Sequence, residues 1–118
     1  MTDDALVDSL VDNYSSQYRI YGTLLDSLRI GVIKLNSSDL TGIIPLLEAR
    51  NRDFDALKAM DAQISGAKME WENRGGSIHT MHAETLRTLL GNIRIILSDV
   101  LETNRQLESK LTVMVGKK

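Results

Sequence analysis

Two histidines stand three residues apart in "HTMH", His79 and His82, with Glu84 close behind. On a helix an i, i+3 pair faces one way and can hold a metal ion, but a stable site needs a third ligand at matching spacing. None is evident, so the pair reads as two histidines at a helix start, and neither metal nor cofactor is expected. The carboxylates Asp39, Glu48, Asp53 and Asp55 fall mostly on the polar side of a helical pattern, the usual place for a solvated face. Acid–base catalysis would need a cleft to hold two such groups. Gly75 and Gly76 form a glycine pair with no strand before it, so they mark a turn and not a phosphate cradle. No GxSxG, HExxH or phosphate-loop motif is present. These residues point away from an enzyme.

The elements that carry them follow a seven-residue rhythm. Over 3–35, Val7, Leu10, Tyr14, Gln17, Tyr21, Leu24, Leu28, Gly31 and Leu35 recur at steps of three and four, which predicts one long helix. Thr2 or Asp3 is placed to cap it. "NSSD" at 36–39 breaks the pattern, with Ser37 or Ser38 as the next cap. A second helix is expected over 39–66, with Leu40, Ile43, Leu47, Phe54, Leu57, Asp61 and Ile64 in its row. Pro45 and Gly42 predict either a kink or a late start at Pro45. "SGAKMEWENRGGS", 65–77, is the second connection or a prolongation of the second helix, and Ser77 is placed to cap a third helix over 78–115. There Leu86, Leu90, Ile93, Leu97, Val100, Asn104, Leu107, Leu111 and Met114 alternate steps of four and three without a miss. The expected fold is all-α: one domain over 1–118, built as an elongated coiled-coil bundle of three long antiparallel helices.

Composition agrees. The chain has 118 residues, one proline, no cysteine and only 4 % aromatics, which suits helices better than strands. Disulfide and thiol chemistry are excluded. The net charge of −2 with interspersed signs argues against a dedicated nucleic-acid binder and against a polybasic membrane anchor. The start, "MTDDALVDSL", is acidic and does not read as a signal peptide. No apolar run approaches the roughly 18 residues of a membrane span, so no membrane insertion is expected and the cytoplasm is the expected compartment.

Asn104 puts an amide in the apolar row of the third helix. A polar seam residue is tolerated when a matching polar group meets it. Gln17, in the seam of the first helix, is the candidate partner. The other option is that the end of the third helix projects past its neighbours, leaving Asn104 on an exposed stripe with Leu107, Leu111 and Met114, a surface for a partner helix. Tyr14, Tyr18 and Tyr21 form the most aromatic patch, read first as core filler with hydroxyls near solvent and second as a docking surface.

The whole pattern resembles a known family. "LLDSLRIGVIKLNSSDLTGIIPLLEARNRDFDAL", followed by a last helix carrying "LETNRQLESKL", is similar to the bacterial flagellar export chaperones of the FlgN/FliT type. The matching features are Leu24–Leu35, Ser38–Asp39, Leu46–Leu57 with Glu48, and Thr103–Leu111 with Asn104. The resemblance implies a cytoplasmic, non-catalytic protein. It would hold the terminal helical segment of a late export substrate, a hook–filament junction or filament cap protein, and deliver it to the export gate and its ATPase. The contact residues expected on the last helix are Leu97, Leu101, Asn104, Leu107, Leu111 and Met114. The competing reading is a self-associating coiled-coil scaffold, such as a homodimer, without a client.

Overall fold

The computed structural model describes residues 2–116. The expectation of one domain over 1–118 extends to residues 1, 117 and 118, which lie outside the described residues. The fold is helical and elongated, 58 × 20 × 19 Å, and no strand occurs among the described residues. Among the described residues there are four α-helices where three were expected: α1 (Asp3–Asn36), α2 (Ile43–Gln63), α3 (Ser65–Arg74) and α4 (Met81–Gly116). A 3₁₀ turn at Gly75–Ser77 joins the last two.

Helix α1 runs 34 residues because its apolar row never breaks, and its start is capped as the sequence predicts. The Thr2 hydroxyl accepts from the Ala5 N–H at 3.2 Å, with Asp3 and Asp4 in the positive first turn. It ends where Ser38 takes a left-handed φ of 56° and the Asp39 carboxylate turns back to accept from the Thr41 N–H at 2.9 Å. Neither serine caps the next helix. Gly42 does so with φ 74°, a conformation that glycine enters without steric cost. Helix α2 therefore starts at Ile43 and not at 39. Pro45 lies in its first turn, where a missing N–H breaks no ladder bond, so no kink is needed.

The second leg is broken at Ile64. Its backbone leaves helical geometry (φ −108°, ψ 14°) while its side chain turns inward to join Leu6, Leu10 and Ile78 in the core. The break ends α2 within three residues of the expected end at 66, and α3 fills most of the 65–77 stretch expected as a connection or a prolongation. At the far end Thr80, not Ser77, caps α4: its hydroxyl accepts from the Ala83 N–H at 3.0 Å, while the Ser77 hydroxyl donates to the Arg74 carbonyl at 2.8 Å.

The chain runs out along α1, back along α2 and α3, and out again along α4. Successive legs are antiparallel, so helices α1 and α4 run parallel. Their register is marked by Asp8 against His82 near one end and Gly31 against Leu107 near the other. This pair makes the main packing of the molecule. The core falls into two clusters. One gathers Leu6, Leu10, Tyr14, Ile64, Ile78, Leu86 and Ile93; the other gathers Leu24, Leu28, Leu35, Ile43, Leu57, Val100 and Leu107. Between them on α1 stands Gln17, buried to 3 % exposure, the one buried polar side chain among the described residues.

Candidate functional site

The divide in the core opens outward as a groove. Helix α2 packs on α1, and α1 on α4, but α2 and α3 stand back from the middle of α4. The space between them has a volume of about 720 Å³. Its floor is Tyr14, Gln17 and Tyr21 of α1. One wall is Phe54 and Leu57 of α2 with Trp71 of α3; the other is Leu90, Ile93, Leu97 and Leu101 of α4. Charged side chains edge the walls: Lys58 and Asp61 on α2, Lys68 and Glu72 on α3, and Arg94 on α4. Leu90 to Leu101 covers about 16 Å of α4, or three helical turns.

Three local features frame the groove. On the floor, the Gln17 amide donates to Asn13 Oδ1 at 2.7 Å, and the Asn13 amide donates to the Met60 carbonyl at 3.0 Å. This relay satisfies a buried amide and ties α1 to α2 below the opening. At the α3 end, Arg87 donates to the Gly75 and Ile78 carbonyls, each at 2.6 Å, pairs with Glu84, and lies over the Trp71 ring at 5.3 Å from its centroid. Gly75 lies directly beneath that ring; a Cβ there would be 2.7 Å from Trp71 Cδ2. At the other end, Arg50 of α2 bridges to α4 through Asn104 and Glu108.

The floor is electrostatically distinctive. Burial pushes the Tyr14 phenol up to about 12, reinforced by the nearby carboxylates of Asp61 and Glu72. The Tyr21 phenol is raised in the same sense, by burial first and by Asp61 second. Both phenols therefore stay neutral donors on an otherwise apolar surface. On the groove's edge Lys68 Nζ and Asp61 Oδ2 lie 3.6 Å apart, both side chains solvent-exposed. His82 Nδ1 lies 2.6 Å from Asp8 Oδ1, outside the groove, and His79 belongs to the connection before α4. Among the described residues no group of three or more His, Cys, Asp or Glu is placed to hold a metal ion.

The six residues singled out on the last helix separate into different surroundings. Leu97 and Leu101 line the groove, Leu101 being 55 % exposed. Asn104 is half-buried and accepts from Arg50 Nη1 at 3.2 Å. Its partner is thus an arginine of α2. Gln17 lies roughly 18 Å away along the bundle, by the rise of the intervening helix. Leu107 is fully buried against Gly31, and Leu111 and Met114 pack on the same cluster. The end of α4 does not stand clear of its neighbours, because α1 reaches to the level of Leu111, so no exposed stripe runs through 107–114. The accessible apolar surface lies one to two turns earlier. Tyr14 and Tyr21 form its floor, while Tyr18 faces the opposite side beside Ile95 and Ile96.

Sequence reasoning missed Phe54, Trp71, Lys58 and Arg94 as site residues. A signal existed: Asp61 occupies a seam position of the second helix, and it lines the groove. Compared with protein families, curated proteins and solved structures, the chain has no significant match to any of them.

Proposed function

We propose that the protein is a non-catalytic chaperone of the flagellar export type, holding an amphipathic helical segment of an export substrate in the groove between α2–α3 and α4. The observation that carries this reading is the groove itself: about 720 Å³, with leucine, isoleucine, phenylalanine and tryptophan walls and a charged edge. A three-turn helix has the right length to lie along it. The resemblance of "LLDSLRIGVIKLNSSDLTGIIPLLEARNRDFDAL" and "LETNRQLESKL" to the FlgN/FliT type supplies the biological setting: a hook–filament junction or filament cap protein as client, the cytoplasm as place, and the export gate with its ATPase as destination. Leu97 and Leu101 are the contacts of the original set that this reading keeps at the surface.

Light scattering with and without a peptide from the C-terminal segment of a candidate client tests it. The expected result is a one-to-one complex that Leu101→Asp abolishes while circular dichroism is unchanged. A constitutive dimer indifferent to every such peptide overturns it. The second reading, a self-associating scaffold, has its own observation: Tyr18 and Ile95, 39 % and 66 % exposed, line a shallow depression on the opposite α1–α4 face. Ile95→Asp would then break the dimer and Leu101→Asp would not.

A further inference from the structure

Resting on that reading of the groove, we infer that its occupant is an amphipathic helix whose apolar stripe carries a carboxylate on each edge. Five charged side chains line the opening, and they do not balance locally. Lys68 Nζ and Asp61 Oδ2 are 3.6 Å apart and satisfy one another. Glu72 stands at the α3 end, beside Tyr14. The side chains of Lys58 and Arg94, like that of Glu72, make no hydrogen bond or ion pair to any described residue.

Their placement gives the pattern. The bridge from Arg50 to Asn104 fixes the antiparallel register of α2 against α4. In that register Lys58 comes level with Ile96 and Leu97, within a turn of Arg94. Two unpaired cations therefore face one section of the cleft from opposite walls. A helix lying between them meets leucines with its stripe and one cation with each edge. Acids at those edges gain a partner on each side, and amines there meet like charge. Both cations are solvent-exposed, so the gain is modest and screened by salt.

Trp71, the single tryptophan, lines the α3 end and reports occupancy by its fluorescence. Three synthetic helical peptides with one leucine stripe, differing only in edge residues (Glu, Gln or Lys), are titrated at low and at physiological salt. The expected order is Glu tighter than Gln, and Gln tighter than Lys, by about three- to tenfold per step at low salt. The spread narrows as salt rises, and the double variant Lys58→Glu/Arg94→Glu reverses the order. Circular dichroism checks that this variant is folded. Equal affinities for all three peptides, or an order that the double variant leaves unchanged, overturn the charge inference and leave the groove reading standing. Failure of every peptide to bind overturns both. A dimer that dissociates on Leu101→Asp, and takes up peptide only when dissociated, assigns the groove to a second copy and also overturns the inference.

Discussion

The guanidinium of Arg50 on α2 and the amide of Asn104 on α4 meet across the bundle, Nη1 donating to Oδ1 at 3.2 Å, with Glu108 taking the same nitrogen one turn further on. Arg50 is only 13 % exposed at its side chain, so its charge sits in a poorly hydrated place and needs both acceptors. The amide in the apolar row is thus the receiving half of an interhelical bridge.

A double-mutant cycle measures that bridge. Arg50→Ala, Asn104→Ala and the double variant, compared by urea denaturation, should give a coupling of about 1 kcal/mol, the usual scale for a hydrogen bond to a charged group that retains a second partner. Additive single effects would show that the two residues do not cooperate.

Gly75 and Gly76 should respond oppositely to the same change. A Cβ at Gly75 collides with the Trp71 ring, while Gly76 has open space. Gly75→Ala is expected to cost about 1–3 kcal/mol, and Gly76→Ala to stay within about 0.5 kcal/mol. Equal unfolding midpoints would contradict the tight seat of Trp71.

Arg87→Ala should loosen the same corner. It removes two bonds to backbone carbonyls and the cation over Trp71. The expected loss is about 2 kcal/mol, with a shift in tryptophan emission toward that of exposed indole. Unchanged emission and stability would mean that the connection holds without it.

High pH should destabilise the groove floor in a defined window. The folded state keeps the Tyr14 phenol neutral up to about 12, whereas the unfolded chain ionises near its ordinary value of 10. The stabilisation is therefore complete below pH 10 and is lost as pH rises from 10 toward 12. Absorbance titration of the phenolates should show a group ionising near 12 that vanishes in Tyr14→Phe. The variant should also lose less melting temperature across this window. Identical titrations of the two proteins would place Tyr14 in water.

Much of this architecture can be read from residue spacing. The row from Val7 to Leu35, the Thr2 cap and the steps from Leu86 to Met114 each name a helix and its buried side. Pro45 and Gly42 admit the true start of α2. The break at Ile64 falls where the stretch opened by Ser65 and Gly66 reads as a connection or a prolongation; spacing does not decide between the two, and the core containing Leu6 and Ile78 takes up the Ile64 side chain. The groove was legible in half. Leu97 belongs to a visible row and Leu101 flanks it, but that row does not say which of its members a neighbour covers. Leu107 is covered because Gly31 lets it approach, whereas Leu101 lines the groove between α2 and α4 and stays 55 % exposed. Asn104 was flagged correctly as an anomaly and matched to the wrong partner, since the levels of Gln17 and Arg50 depend on how the three legs are threaded.

The parallel arrangement of α1 and α4 also governs when the fold can be completed. Residues of the first helix meet α4 partners roughly 75 residues later, the separation seen between Asp8 and His82 and between Gly31 and Leu107. Local hairpins cannot supply those contacts, so contact order is high for a helical chain. Emerging from the ribosome, α1 would remain without its chief neighbour until nearly the entire polypeptide had been made. Stopped-flow refolding should accordingly be slower than that of an antiparallel helical hairpin of similar length.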